Sequence, residues 1–252
     1  METIITNYAN APNTELDPFC TSGSSPPAPK TKMKRTERHE SDFYATPRWT
    51  VHRLLEVLHL RGGDWLEPGA GEGDLIRAVA ETGRNDINWT ALELRPECKS
   101  HLEKLKPRPE IIITDKFIGA PERERPLRGR RFDVAFGNPP FSLAIEFIRE
   151  CFEVADRVVF LLRLNFLATS SRSRFMRTYA PDIYVLPQRP SFNGRGTDSQ
   201  EYAWFVWGLP VSRRRNTGIV RVLADTDKKT RLTTSPGLYT AHGYIRPDGV
   251  ES

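Results

Sequence analysis

The residues with the most defined chemical use form one short run, Gly137-Asn138-Pro139-Pro140-Phe141, directly after an apolar stretch. Two consecutive prolines remove two backbone donors and fix both φ angles, so the carbonyls of Asn138 and Pro139 are held in set directions. Such acceptors suit a planar amino group whose lone pair is delocalised into a ring, as in adenine. If the Asn138 side-chain oxygen and the Pro139 carbonyl each accept one N–H, the nitrogen is pushed toward tetrahedral geometry and its lone pair is aimed at an electrophile. This is catalysis by orientation and preorganised dipoles, with no covalent nucleophile. Phe141 adds a surface on which a base can stack, and a base in a duplex must be flipped out to reach it. A rigid turn ahead of a helix beginning near Leu143 would use the same residues with no chemistry.

A second run, Glu67-Pro68-Gly69-Ala70-Gly71-Glu72-Gly73, has the spacing Gly-x-Gly-x-Gly. A dinucleotide fingerprint is Gly-x-Gly-x-x-Gly, and position 74 is Asp instead, which weakens a nicotinamide oxidoreductase reading. Glu67 and Glu72 would repel a pyrophosphate but suit a cationic ligand carrying a sulfonium and an ammonium group. Glu93 lies about 20 residues further on, the distance at which an acid meets ribose hydroxyls in an open α/β sheet. Asp115 ends the next apolar stretch. Each acid alone reads as a helix N-cap or a surface residue; together at successive strand ends they point to a nucleoside-containing cofactor.

The elements that must position these runs alternate. A helix of about three turns follows Thr46 and ends at Gly62-Gly63, Asp64 to Glu67 is a short strand, and Leu75, Ile76 and Val79 restart a helical period. Strand is expected at Trp89–Leu94, Glu110–Thr114, Phe132–Phe136 and Arg157–Leu162, and helix at Pro96–Leu105 and Leu143–Ala155. Ile183–Leu186 and Tyr202–Trp207 are two further strands, expected to pair antiparallel at one edge. About seven strands alternating with helices predict a mostly parallel sheet covered on both faces.

The composition of the 252 residues, 38% hydrophobic and 27% charged, allows one real core. Residues 1–40, rich in Pro, Ser, Thr and Lys, read as a flexible basic arm, because they hold too little apolar surface to offset ordering. No apolar run long enough for a membrane span and no basic-then-apolar leader pattern is present, so neither membrane nor export is expected. Cys20, Cys98 and Cys151 have no CxxC spacing, which predicts neither a disulfide framework nor a metal site and fits a reducing cytoplasm. The net charge of +5 is concentrated in residues 30–40 and in residues 121–131, where five Arg stand against two Glu. Concentrated positive charge suits a polyanion, and equally a solvated tail and loop.

With these runs assembled, the chain resembles the DNA amino-methyltransferases, and among them the adenine-N6 enzymes. The match comprises Tyr44-Ala45-Thr46-Pro47, Leu66-Glu67-Pro68-Gly69-Ala70-Gly71-Glu72-Gly73, Glu93, Asp115 and Asn138-Pro139-Pro140-Phe141, in an order similar to the gamma-type arrangement. The segment from Arg189-Pro190-Ser191-Phe192 through Tyr202 to Trp207 looks like small phage-borne members, and the resemblance spans roughly Asp42 to Trp207. It implies a Rossmann-like class I methyltransferase fold: α/β, a mostly parallel seven-stranded sheet with an antiparallel edge strand, and helices on both faces. It also implies S-adenosylmethionine as cofactor, with Tyr44, Thr46, Pro47, Glu67, Gly69 and Gly71 at its methionine end, Glu93 on the ribose and Asp115 on the adenine. Asn138, Pro139, Pro140 and Phe141 would be catalytic, and Phe141 and Phe192 would stack on the target base. Family members often place an aromatic residue directly after the last acid; here Lys116 intervenes before Phe117.

The expected domain covers residues 41–210, followed by a short extension, 211–252, as a candidate substrate contact in which Arg213-Arg214-Arg215 would meet phosphate. The expected partner is nucleic acid, double-stranded DNA first, in the cytoplasm of a bacterial or phage-infected cell. RNA adenine-N6 or protein glutamine methylation, or a catalytically silent nucleic-acid-binding module, stay open. Cytosine-C5 transfer is disfavoured, since no cysteine follows a proline.

Overall fold

The computed structural model describes residues 45–192, 196–208, 218–224, 239–240 and 243–244. The basic arm, Tyr44, Cys20 and Arg213 to Arg215 lie outside them. Helix α1, Arg48–Val57, is anchored at its start by Pro47, whose carbonyl accepts both the backbone N–H and the hydroxyl of Thr50 at 3.0 and 2.8 Å. It ends at Val57, before the Gly62-Gly63 pair expected to stop it.

Strand β1, Gly63–Pro68, leads into the glycine turn and α2, Asp74–Ala80. Strands β2, Ile87–Glu93, and β3, Glu110–Ile113, follow, then β4, Val134–Gly137. Between β2 and β3 the expected helix is two short pieces, a 3-10 turn at Pro96–Cys98 and α3 at Lys99–Leu102. After the prolines, a 3-10 turn at Phe141–Leu143 precedes α4, Ala144–Val154, and β5 is Arg157–Arg163. A 3-10 turn at Leu164–Leu167 and helix α5, Ser170–Thr178, then connect to β6, Asp182–Val185, and β7, Tyr202–Gly208. Helix α5 has no counterpart in the sequence reading, because its Ser-Ser-Arg-Ser-Arg start carries no apolar period.

The main sheet has the order β3-β2-β1-β4-β5-β7-β6-β8, where β8 is Val220–Val222. Every pairing is parallel except those of β7, which runs against both β5 and β6. The expected antiparallel pairing of the last strands is present, with β7 seated inside the sheet between β5 and β6. The count of seven rises to eight because β8, a three-residue strand within 211–252, pairs with β6. A separate antiparallel pair joins Tyr239–Thr240 to Gly243–Tyr244.

Both faces are covered, and side chains divide between them with the two-residue period of a strand. In β7, Tyr202, Trp204 and Val206 join one core, while Ala203, Phe205 and Trp207 join the other. On the first face Phe136 stacks on Trp204 at 4.9 Å and contacts Trp65 at 5.6 Å. Each such fully buried side chain contributes ~1.5–3 kcal/mol of hydrophobic stabilisation. No helix among the described residues is long and apolar enough to cross a membrane.

The order of strands reverses between β1 and β4, and that is where open α/β sheets bind ligands, outside the carboxyl ends. The glycine turn leaves β1 there and Asn138-Pro139-Pro140-Phe141 leaves β4. Gly137 permits this close approach: a Cβ on it would lie 3.2 Å from the Phe160 ring and 3.4 Å from Pro68.

Candidate active site

The glycine turn is held by β2. Leu92 O accepts the N–H groups of Gly69 and Ala70 at 2.7 and 2.9 Å, and Glu93 Oε2 accepts that of Gly71 at 2.7 Å. Gly69, Gly71 and Gly73 have φ of +75°, +56° and +82°, where a side chain would be strained. Glu93 is buried, and its Oε1 accepts the backbone N–H and Nε of Arg95 at 2.9 and 3.0 Å. A carboxylate oxygen has two acceptor sites, so Oε2 can take a further hydroxyl beside Gly71.

Glu67 is 2% exposed and leaves Oε2 without a partner. Burial, reinforced by the charges of Asp74 and Glu93, pushes its carboxyl well above the usual carboxylate range. Among the residues read from sequence, Asp115 is exposed just beyond β3. Phe117 is buried, its ring set edge-on to Phe147 at 5.4 Å.

Asn138 is half-buried, and its Nδ2 donates to Thr46 Oγ1 at 3.0 Å. Its Oδ1 is buried with no hydrogen-bond partner. A buried, unpaired amide oxygen is costly, ~1–3 kcal/mol, and such sites call for a functional explanation. Thr46 itself is 5% exposed and sits just before α1. Helix α1 is tied to β7 in turn, since Trp204 Nε1 donates to Thr50 O at 2.9 Å. Thus the Thr46-Pro47 element meets the catalytic candidate directly, through the amide nitrogen, as well as lying near the strand ends where a cofactor would bind.

Phe141 is half-buried beside residues that the sequence reading did not single out. The Arg163 guanidinium lies over its ring at 4.6 Å, and Tyr202 lies 5.5 Å from it. Arg163 Nε donates to Tyr202 Oη at 3.2 Å, and Tyr202 Oη donates to Asp198 Oδ2 at 2.9 Å. Burial, aided by Asp198, pushes the Tyr202 phenol up to about 12, so it stays a donor at neutral pH. Phe192 is 9% exposed and packs edge-on to Tyr202 at 5.1 Å, so Tyr202 contacts both Phe141 and Phe192. The only sequence signal for Tyr202 was its place at the head of an aromatic strand.

The basic loop is less positive than its composition. Arg130 and Arg131 pair with Glu110 and Asp156 at 2.7 and 2.6 Å, and Arg125 pairs with Glu150 at 3.0 Å. Arg123 and Arg128 stand at 3.7 and 3.9 Å from Glu124 and Glu122. Cys98 and Cys151 are buried and free, and burial pushes both thiols up. No cluster of metal-ligating side chains occurs among the described residues.

The fold is that of the class I S-adenosylmethionine-dependent methyltransferases. It is similar to a Listeria monocytogenes protein assigned to that class, with a TM-score of 0.55 and 14% identity over 75% of this chain and 69% of that one. It is also similar to the type I restriction-modification methyltransferase subunit of Streptococcus thermophilus, with a TM-score of 0.52, 14% identity, and 79% and 51% coverage. In sequence, 86 residues, 34% of the chain, are 29% identical to the type II methyltransferase M.TthHB8I of Thermus thermophilus. That match spans 18% of the relative's length. No family model matches the chain.

Proposed function

We propose that the chain transfers a methyl group from S-adenosylmethionine to the N6 amino group of adenine in DNA. The observation that carries this reading is the buried, unpartnered Oδ1 of Asn138, whose amide is held through Nδ2 by Thr46. An orphaned acceptor at the carboxyl end of β4 is complementary to an amino N–H, and Pro139 supplies a second carbonyl. The partial sequence match to a type II methyltransferase supports the same direction.

The residues of the cofactor cleft fit the donor's chemistry. Positive-φ glycines let a ligand approach the backbone, Glu93 keeps an acceptor site for a ribose hydroxyl, and residues 67–73 include no Lys or Arg, the nearby Arg77 being engaged by Glu72 O at 2.9 Å and Asp74. Tyr44, Thr46, Pro47, Glu67, Gly69 and Gly71 would hold the methionine end and Asp115 the adenine. The cofactor supplies an electrophilic methyl on a positively charged sulfur. Asn138 and Pro139 orient the amino nitrogen, and Phe141 supports the base. Phe192 would complete the apolar wall by way of Tyr202.

The test is methyl transfer from labelled cofactor by the full chain to duplex DNA, structured RNA and a protein extract. Label in N6-methyladenine of DNA is expected; label confined to RNA or glutamine would overturn the substrate assignment. Asn138→Ala should lose roughly 10²–10³-fold in turnover while calorimetry shows unchanged cofactor binding. Retained turnover in that variant removes the assignment, and absent cofactor affinity in the wild type would favour a silent binding module.

A further inference from the structure

We propose that Arg163 is a positioning residue for Phe141, acting with Tyr202 and Asp198 to fix the ring on which the target base stacks; this rests on the active-site reading above. Phe141 directly follows the proline pair, begins a single 3-10 turn and is half-buried, packed at the margin of both cores. A phenylalanine side chain has several staggered rotamers, and the groups packed on the ring decide among them. The guanidinium at 4.6 Å from the ring centroid covers one face, and Tyr202 limits rotation from the side.

Arg163 is itself placed by the sheet. It ends β5 directly opposite Tyr202, the first residue of β7, so the two side chains leave the same face of the sheet. The hydrogen bond from Arg163 Nε to Tyr202 Oη, and from Tyr202 Oη to Asp198, continues the restraint to Pro190 and Gln200. There Asp198 N donates to Pro190 O at 2.8 Å, and Asp198 Oδ1 accepts the Gln200 N–H at 3.0 Å. A cation stacked on an aromatic ring and hydrogen-bonded sideways gives planar, directional hold that a lysine ammonium supplies only in part. With one face taken by Arg163, the substrate must use what remains of the Phe141 surface, which fixes the side from which the base enters.

The experiment compares Arg163→Met, Arg163→Lys and Asp198→Asn with the wild type on a duplex it methylates, and on the same duplex with 2-aminopurine at the methylated position. Arg163→Met should keep cofactor affinity and the salt dependence of duplex binding, and lower kcat by about ten- to a hundredfold, the scale of a small misplacement of reacting groups. Its 2-aminopurine emission should rise, because a flipped base that is poorly stacked is poorly quenched. Arg163→Lys should recover part of kcat, and Asp198→Asn should fall between it and wild type. Unchanged kcat and emission in Arg163→Met overturn the proposal. So does a fall of about 0.9 in the log–log salt slope, which would make Arg163 a phosphate contact, and so does a parallel loss of cofactor affinity, which would make it a structural prop. Failure of the underlying reading shows separately, as full turnover in Asn138→Ala.

Discussion

Replacing Thr46 by Val separates two duties that meet at one hydroxyl. The substitution keeps the shape of the side chain, which is 5% exposed, and deletes the acceptor for Asn138 Nδ2 at 3.0 Å. A half-buried amide N–H without a partner costs ~1–2 kcal/mol, and in a domain of this size that lowers Tm by about 2–8 °C. The same loss frees the Asn138 amide to turn, so Oδ1 is presented to the substrate for only part of the time. Since ~1–2 kcal/mol corresponds to a roughly 5–30-fold change, kcat should fall by that factor. Thr46→Ser, which keeps the oxygen, should retain most activity. The assays are steady-state methyl transfer, thermal melting and cofactor calorimetry on the same preparations. If Thr46→Val weakens cofactor binding while kcat under saturation stays at the wild-type value, Thr46 serves the methionine end of the cofactor and the link to Asn138 has no catalytic weight.

Glu93→Ala should weaken cofactor binding by ~1–3 kcal/mol, because both a ribose acceptor and the anchor of Gly71 are removed; unchanged affinity would count against the ribose role. For Glu67, the folded pKa is raised, so its contribution to stability is full below the unfolded carboxylate range and is lost as pH rises through the folded value. Glu67→Gln should therefore melt with the wild type in acid and above it at alkaline pH, and equal melting at alkaline pH would contradict the burial argument. Arg174 and Arg177 are exposed on α5 and make no ion pair among the described residues. Replacing both by Ala should reduce the log–log salt slope of duplex binding by up to about 1.8, and an unaltered slope would place phosphate contacts elsewhere.

Legibility differed with the distance over which a feature is assembled. Asn138-Pro139-Pro140-Phe141 and the glycine turn stand out in the sequence because each places unusual residues side by side, at what the fold makes the carboxyl ends of β4 and β1. Parallel strands were readable because burial on both faces makes near-continuous apolar runs, as in β5, where Val158 to Leu162 are all buried. The pair Arg163 and Tyr202 is separated by 39 residues and Thr46 and Asn138 by 92, so neither contact exists until the sheet has formed. Charge misled for the same reason: the partners of Arg125, Arg130 and Arg131 come from α4, β3 and the residue before β5, so a local count overstated the positive loop. The short β8 and the apolar-poor α5 draw their order from neighbours, which no window of sequence displays.

The bond from Trp204 Nε1 to Thr50 O sets a clock on biosynthesis. Its partners are 154 positions apart, so at ~5–20 residues per second the ribosome needs roughly 8–30 s between making the first and making the second. Until β7 has emerged and slotted in beside β5, α1 keeps its local tie at Pro47 and the neighbouring Thr46–Asn138 bond but lacks the tie to the sheet through Trp204. A newborn chain therefore acquires this tie only once the aromatic strand has been made, and a product truncated before Trp204 would lack it however intact its motifs.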